Sequence, residues 1–364
     1  MARRGNRYGY GSYRGRNRGR TALKIVIAVL SVVLLLVLGL FFLQERGLVF
    51  TSDGPRLQLP FGAMATPAPS PEESEPLVVR TPPPAPTPTP KPALRALLLP
   101  RSALSDGTAE SLLSGEGANA AVFDMKADDG SLGYVSALET AKQAGASAAD
   151  PALNEAIRAF TAGETYAVAR VSCFRDNKAP YAMPALGVKT RSGYNWRDSG
   201  DLRWLSPASA EARQYVTDVC LELAGLGFDE ILLDNSGYPT QGKLERIRRG
   251  DAYTPGQLDL VVDGFYAQVQ EALAGAYPEV VLSIRTDGET MAAGENETSG
   301  QRVETIVRCA GRIWADDLTG TGRESALQTL RNAGGEEKDL VAVGTEWPAG
   351  AWDAARLTIP AAAE

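Results

Sequence analysis

The stretch Gly227-Phe228-Asp229-Glu230-Ile231-Leu232-Leu233-Asp234-Asn235 contains a short apolar run that ends in a carboxylate. Turn-forming residues, Ser236 to Pro239, follow it directly. An apolar run of this length bounded by turn formers is typical of a strand that is covered on both faces. Parallel α/β folds place their functional groups at the C-terminal ends of such strands. Asp234 is therefore the first candidate for a functional residue, whereas Asp229 and Glu230 stand at the strand's start, where stability is determined.

The chain contains no histidine. An imidazole base and a histidine metal ligand are therefore excluded, and carboxylates become the leading candidates for acid–base chemistry. Serine hydrolases need a histidine to activate the hydroxyl, and zinc-dependent deacetylases generally hold the metal through histidines, so both classes are disfavoured. Asp128-Asp129-Gly130 lacks the spacing of a calcium-binding loop and is interpreted as a turn. We expect no metal and no cofactor.

The first 43 residues have the pattern of a membrane anchor. Residues 1–24 carry eight basic residues and no acidic residue, and residues 25–43 contain no charge. As a helix, this apolar run is long enough to cross roughly 30 Å of hydrocarbon. The basic side normally stays in the cytoplasm, so we expect a cytoplasmic tail, a single-pass signal anchor in the lipid bilayer, and a C-terminal domain outside the cell membrane. A cleaved signal peptide is the alternative, but its apolar region is usually only about 7–15 residues.

A proline-rich segment follows the apolar run. Eleven of the 27 residues from Thr66 to Pro92 are proline, a composition that cannot form a core and favours extended polyproline II. Residues 44–93 are therefore predicted to be a disordered extracytoplasmic linker. The formal charge of the chain is −7, and removing the eight basic residues of the tail leaves −15 for residues 25–364. This acidic balance argues against nucleic acid as a partner.

Beyond the linker, apolar runs alternate with amphipathic segments. This alternation over about 270 residues favours a (β/α)8 TIM-type barrel at residues 94–364, with an open doubly wound sheet as the alternative. Ser206 and the segment Thr254–Gln257 are expected to begin two of the helices. The three cysteines have apolar neighbours and are expected to be buried thiols, although one disulfide remains an alternative. The predicted strands are Leu94–Leu99, Ala120–Lys126, Tyr166–Phe174, Glu230–Asp234, Val280–Arg285, Arg312–Ala315, Leu340–Gly344 and a weak eighth, Arg356–Pro360.

Acidic residues lie at or just beyond the ends of most of these strands, and the strand ends of a barrel meet on one face. Two carboxylates there can flank a glycosidic bond, one as proton donor and the other as nucleophile or base. Arg170, within the third strand, can pair with Asp234 or merely satisfy a buried carboxylate. Trp314 and Trp347 adjoin strand ends, where an indole face can stack on a sugar ring. The acidic residues are Asp124, Asp128, Asp129, Asp176, Asp234, Asp287, Glu289, Asp316, Asp317 and Glu346.

The chain resembles a family of bacterial exported proteins classed as glycoside hydrolases of uncharacterised activity. Three stretches carry the resemblance: Asn119–Lys126, Ala169–Asp176, and Gly227–Asp234 with Pro239. The resemblance covers roughly Leu94 to Trp347 and implies a barrel related to the alpha-amylase type. By analogy with such barrels, it implies that Asp234 is the nucleophile and that Glu289 or Asp287 is the general acid. The residues that it implies for substrate binding are Asp124, Arg170, Trp314, Asp316 and Trp347.

Two departures from the family pattern leave two hypotheses open. After the strand-four aspartate the family has Tyr-x-Arg-Phe-Pro, whereas this chain has Asn235–Pro239; after strand six, Trp314–Asp317 replaces a stretch similar to Tyr-Pro-Ser-His-Tyr. The first hypothesis is a membrane-anchored glycoside hydrolase that acts on a polysaccharide, such as a cell-wall or extracellular glycan. The second is a catalytically inactive barrel that binds glycans or serves as a scaffold in the cell envelope.

Overall fold

The computed structural model describes residues 48–51, 54–57, 93–318, 320–348 and 352–359. The chain divides into two compact units, Met1–Thr87 and Pro88–Glu364. In the first unit, Leu48–Thr51 and Gly54–Leu57 pair as antiparallel strands. The predicted tail (1–24), the predicted membrane span (25–43) and most of the predicted linker (44–93) lie outside the described residues. Within the described ranges, no helix is long and apolar enough to cross a membrane.

The second unit contains a closed barrel of eight parallel strands, which confirms the predicted (β/α)8 architecture over the open sheet. Each strand pairs with the strands before and after it, and the eighth pairs with the first. The strands are β1 (Arg95–Leu99), β2 (Ala120–Lys126), β3 (Tyr166–Ser172), β4 (Glu230–Asp234), β5 (Val281–Asp287), β6 (Arg312–Asp316), β7 (Leu340–Val343) and β8 (Ala354–Arg356).

The eighth strand begins two residues before its predicted position. Its residue Ala354 pairs with Ala342 of β7 on one side and with Arg95 of β1 on the other, so this short strand closes the barrel. This strand contains small side chains, whereas strands are usually recognised in a sequence by runs of branched apolar residues. This explains why the strand was the weakest of the eight in the sequence.

Helices follow β1 to β6, and the described residues between β7 and β8 contain none. The two longest, α5 and α6, each bury an apolar face, as is typical of amphipathic helices. The α-helices are α1 (Ala109–Glu116), α2 (Glu139–Gln143), α3 (Leu153–Thr161), α4 (Ala179–Ala182), α5 (Ala210–Gly225), α6 (Asp259–Ala276), α7 (Gly288–Ala293), α8 (Val303–Cys309) and α9 (Gly320–Asn332).

The predicted starts of α5 and α6 are wrong by several residues. Ser209 caps α5 by accepting a hydrogen bond from the backbone N–H of Ala212, whereas the N–H of Ser206 donates to the Leu186 carbonyl in the preceding loop. The segment Thr254–Gln257 forms a turn, in which the Gln257 N–H donates to the Thr254 carbonyl, and α6 starts after it. In both cases the residues that were expected to cap a helix make their hydrogen bonds within a loop.

Alternate strand residues point into the barrel and form three layers, as the period of two in a strand requires. The layer at the N-terminal end is polar: Tyr166, Ser283 and Arg312 all donate to the carboxylate of Glu230. The middle layer is apolar, and the layer at the C-terminal end is charged. The middle layer includes Val122, Val168, Leu232, Trp314 and Val341. The charged layer consists of Asp124, Arg170, Asp234, Arg285 and Asp316.

Candidate active site

Asp234, the last residue of β4, lies between two arginines. Its Oδ2 accepts hydrogen bonds of 2.7 Å from Nε of Arg170 and from Nη1 of Arg285. Its Oδ1 accepts the backbone N–H of Asn235 at 2.7 Å. Burial acts to raise the pKa of this carboxyl, but the attraction of Arg170 and then of Arg285 outweighs it and lowers the pKa to about 2. Asp234 is therefore a carboxylate at every pH near neutrality.

Arg170 divides its guanidinium among three carboxylates. Besides Asp234, its Nη1 donates to Asp124 and its Nη2 donates to Asp128, each at 2.7 Å. Only 12% of the arginine side chain is exposed. Each nitrogen of the guanidinium thus has an acidic partner, so Arg170 holds the carboxylates in place, in keeping with the pairing with Asp234 that the sequence suggests.

The charged layer extends in both directions from Asp234. On one side, Arg285 makes a two-point contact with Asp316, with distances of 3.0 Å from Nε and 2.9 Å from Nη2. On the other side, Arg175 bridges Asp128 and Asp198 at 2.6 and 2.7 Å. Five carboxylates thereby face three guanidiniums, so the network is negative when all of its members are ionised. The carboxylates are those of Asp124, Asp128, Asp198, Asp234 and Asp316.

Two adjoining cavities open above this network. The first, of about 300 Å³, is lined by Asp234, and the second, of about 760 Å³, extends toward Trp347 and the ends of β7 and β8. Arg285, Asp287 and Asp316 line both cavities and therefore mark where they meet. A cleft thus runs along the C-terminal face of the barrel with charged groups at its middle, the place where barrel enzymes hold their substrates.

Asp316 differs electrostatically from Asp234, although both contact Arg285. Burial raises the pKa of the Asp316 carboxyl, and the negative charges of Asp234 and Asp317 act in the same direction. The hydrogen bonds and charge of Arg285 oppose this rise without cancelling it. Two carboxyls on one guanidinium therefore have pKa values that are shifted in opposite directions, an arrangement in which one group can give a proton while the other is ionised.

The structure brings four of the predicted site residues into one network, namely Asp124, Arg170, Asp234 and Asp316. Asp287 lines the cleft, and its Oδ1 also caps α7 by accepting the Thr290 N–H at 2.6 Å. Glu289 lies in the first turn of α7, is exposed, and lines neither cavity. The two residues that the family resemblance implies as acids thus have very different positions.

The two tryptophans that were predicted to stack on a sugar lie in different surroundings. Trp314 is completely buried inside the barrel, and its Nε1 donates to Glu230 at 2.8 Å, so the role predicted for it is contradicted. It lies two residues before Asp316 and hence one layer below it on the same inward face. Trp347 lines the second cavity, but its Nε1 donates to the Glu116 carbonyl at 2.7 Å, and its ring lies 5.5 Å from the Arg356 guanidinium.

Sequence reasoning missed several residues of the cleft. Arg285 is a lone charge in an apolar strand, the same signal that singled out Arg170, and it could have been found by that signal. Asn235 has a left-handed backbone (φ 46°) and donates from its side chain to Asp128 and to Ser172. Trp204 is buried, yet it also lines the first cavity. No sequence signal distinguishes these last two roles.

Other polar groups near the strand ends are structural. Nζ of Lys126 and Oδ2 of Asp176 form a fully buried ion pair of 2.8 Å, and Asp176 also accepts the backbone N–H groups of Lys178 and Ala179. The three cysteines are free and buried, as expected. Among the residues that the structure describes, no group of three or more acidic or cysteine side chains is arranged to hold a metal ion.

In a comparison with known protein families, the family described as "Putative glycosyl hydrolase domain" matches residues 109–313. Comparison with curated proteins gave no match. Among solved structures, a hypothetical protein from Ruminiclostridium thermocellum ATCC 27405 is 27% identical, with a TM-score of 0.44; the alignment covers 53% of this chain and 96% of that one.

Two further solved structures are less similar in sequence. The glycoside hydrolase domain of PelA from Pseudomonas aeruginosa is 13% identical, with a TM-score of 0.41, and the alignment covers 70% of this chain and 84% of that one. An alpha-galactosidase from Lactobacillus brevis is 14% identical, with a TM-score of 0.46. The alignment with it covers 70% of this chain but only 33% of the galactosidase.

Proposed function

The chain belongs to this family of glycosyl hydrolase domains, and from that premise we propose that it hydrolyses glycosidic bonds of a polysaccharide with a pair of carboxyl groups. The observation that supports this most is the environment of Asp234. This carboxylate lies in the cleft between two arginines that lower its pKa to about 2. A group that acts on an anomeric carbon, either as nucleophile or as the base for a water molecule, must be ionised in this way.

The reaction needs a second carboxyl group that is protonated before the bond breaks. The residues at the C-terminal ends of β5 and β6 supply the candidates, of which Asp287 and Asp316 line the cleft. The negative network beneath them also suits the positive charge that develops on the sugar ring in an oxocarbenium-like transition state, because oppositely charged groups held in place beforehand stabilise it. This chemistry requires no metal ion.

The proposal is tested by incubating the full-length chain with a panel of purified polysaccharides, including cell-wall glycans, and measuring both newly formed reducing ends and binding. We expect new reducing ends from at least one glycan. Binding of a glycan without any product would overturn the hydrolase and favour the second hypothesis, a glycan-binding or envelope-scaffolding barrel. One observation favours this second hypothesis: both carboxylate oxygens of Asp234 already accept hydrogen bonds from the protein.

We also propose that residues 25–43 anchor the chain in the cell membrane, with residues 1–24 in the cytoplasm and the barrel outside it. The basic tail and the uncharged run of residues support this topology. Protease added to intact bacterial spheroplasts that express the full-length chain should digest the barrel and spare a tag at the N-terminus. A barrel that is digested only after the membrane is ruptured would contradict the proposal.

A further inference from the structure

The two carboxyls that contact Arg285 lie on different sides of its guanidinium. Nη1 donates to Asp234, whereas the opposite edge, formed by Nε and Nη2, faces Asp316. Asp316 also lies where the two cavities meet, with about 30% of its side chain exposed. Asp234 and Asp316 both line the first cavity, so a group bound there can contact both carboxyls at once.

We propose that Asp316 is the proton donor to the leaving group of the glycosidic bond, paired with Asp234 across Arg285. The proposal rests on the proposed glycoside hydrolysis. It places the acid on β6, and not on the β5–α7 turn that the family resemblance implies.

The reaction balances with these two groups. As the bond between the anomeric carbon and the glycosidic oxygen breaks, that oxygen takes the proton of the Asp316 carboxyl and leaves as an alcohol. The anomeric carbon gains an oxygen from the Asp234 carboxylate, and later from water, or directly from a water molecule that Asp234 deprotonates. One water molecule is consumed. In the first route its proton goes to Asp316; in the second it goes to Asp234, and both carboxyls then return to their starting states by proton exchange with solvent.

The surroundings of Asp316 favour the protonated form that this role needs. The charged groups that face it are Asp234 on β4, Arg285 and Asp287 on β5, Asp317 next to it, and Glu346 beyond β7. Arg285 is the one cation of this set, and Asp234 already shares its charge. Burial and the neighbouring carboxylates raise the pKa of Asp316, in agreement with this geometry.

The other carboxyls of the cleft are less suited. Asp128 lies between Arg170 and Arg175, and although burial acts to raise its pKa, the attraction of Arg170 leads to a lowered value. Asp287 is tied to the backbone of α7 through its capping hydrogen bond. Glu289 is exposed and lines neither cavity. Asp287→Asn is therefore the matched control for Asp316→Asn, since both residues line the same junction.

The first test compares leaving groups. Wild type, Asp316→Asn and Asp287→Asn of the full-length chain are assayed with the glycan that wild type cleaves, and with 2,4-dinitrophenyl glycosides of oligosaccharides prepared from that glycan. For Asp316→Asn we expect kcat/KM on the glycan to fall by roughly 10²–10⁴, the typical contribution of a general acid. On the dinitrophenyl glycoside, kcat/KM of Asp316→Asn should fall by less than about tenfold, because the dinitrophenolate leaves without taking a proton. The fall in rate at high pH should also disappear.

An equal fall in kcat/KM on both kinds of substrate in Asp316→Asn would overturn the assignment. The assignment would also be overturned if the fall depended on the leaving group in Asp287→Asn and not in Asp316→Asn. These outcomes are distinct from failure of the hydrolase itself, in which wild type cleaves nothing.

A second measurement does not need turnover: the ¹³C chemical shift of the Asp316 carboxyl is followed against pH in the full-length chain. We expect it to titrate above Asp234 and to move to lower pH in Asp234→Asn; titration below Asp234 would overturn the proposal.

Discussion

Nη1 of Arg285 on β5 lies 2.7 Å from Oδ2 of Asp234 on the adjacent strand β4. Both residues belong to the layer at the C-terminal end of the barrel interior, where alternate strand positions converge. The same guanidinium contacts Asp316 on β6. One arginine thus links three consecutive strands, and its charge influences both carboxyls to which the proposed chemistry assigns roles.

Removing the charge of Arg285 should shift the pH dependence of hydrolysis. In Arg285→Gln the carboxyl of Asp234 loses one of the two cations that lower its pKa to about 2, so this pKa rises. Because Asp234 must be ionised to act, the fall in rate on the acidic side should move to higher pH, by about 1–3 units for loss of a close opposite charge. The measurement is kcat/KM against pH; an unmoved acidic limb would contradict the role given to Arg285.

Arg170 should be among the residues on which stability depends most. Arg170→Ala leaves Asp124, Asp128 and Asp234 without their shared partner in a buried layer, and we expect a loss of about 3–5 kcal/mol in the free energy of unfolding. The control is Arg197→Ala, which removes an exposed ion pair with Asp201 and should change stability by less than about 1 kcal/mol. Denaturant unfolding of both variants measures the difference, and equal losses would disprove the structural role.

Gly130 should not tolerate a side chain. Its backbone is left-handed (φ 87°), and an added Cβ would overlap the carboxylate of Asp176, the buried partner of Lys126. Gly107 has a similar backbone (φ 76°), but nothing lies within 4 Å of an added Cβ. We expect Gly107→Ala to lose about 1 kcal/mol from backbone strain alone and Gly130→Ala to lose about 3 kcal/mol or more, because the ion pair is disturbed as well. Similar midpoints in thermal unfolding would refute the steric account.

The shape of the cleft predicts cleavage inside a polysaccharide chain. The cavities of about 300 and 760 Å³ extend to either side of Asp287 and Asp316, so sugar residues can bind on both sides of the bond that breaks. Products of an early digestion should therefore be oligosaccharides of mixed length, measured by size separation. Release of single sugars from the first minutes onward would show that one end of the cleft is closed.

The sequence contains enough information for the barrel and for the position of Asp234. Seven strands are clear as apolar runs, and the run from Glu230 to Asp234 shows where the chemistry is expected. The predicted stacking role of Trp314 is wrong because side chains two residues apart in a strand point to the same face. Trp314 lies two residues before Asp316, so its indole lies inside the barrel. The same count from Ser283 would have placed Arg285 on the inward face beside Asp234.

Other features could not be obtained from sequence. Which of several strand-end carboxyls share one guanidinium depends on the register between strands, for example the pairing of Asp316 with Asp287, and a single sequence does not contain this information. The role of Trp204 depends on the long segment between β3 and α5, in which its Nε1 donates to Asp198, the partner of Arg175. Similarly, the starts of α5 and α6 are decided by loop hydrogen bonds that compete with helix caps.

The central claim is that the Asp234 carboxylate performs the hydrolysis. It is tested most directly by the ratio of kcat/KM for wild type and Asp234→Asn on a glycan that wild type cleaves, with both proteins shown by circular dichroism to have the same fold. We expect the variant to be slower by a factor on the order of 10³ or more, since loss of a reacting group leaves only binding and electrostatic contributions. A variant that cleaves the glycan at the wild-type rate would contradict the account.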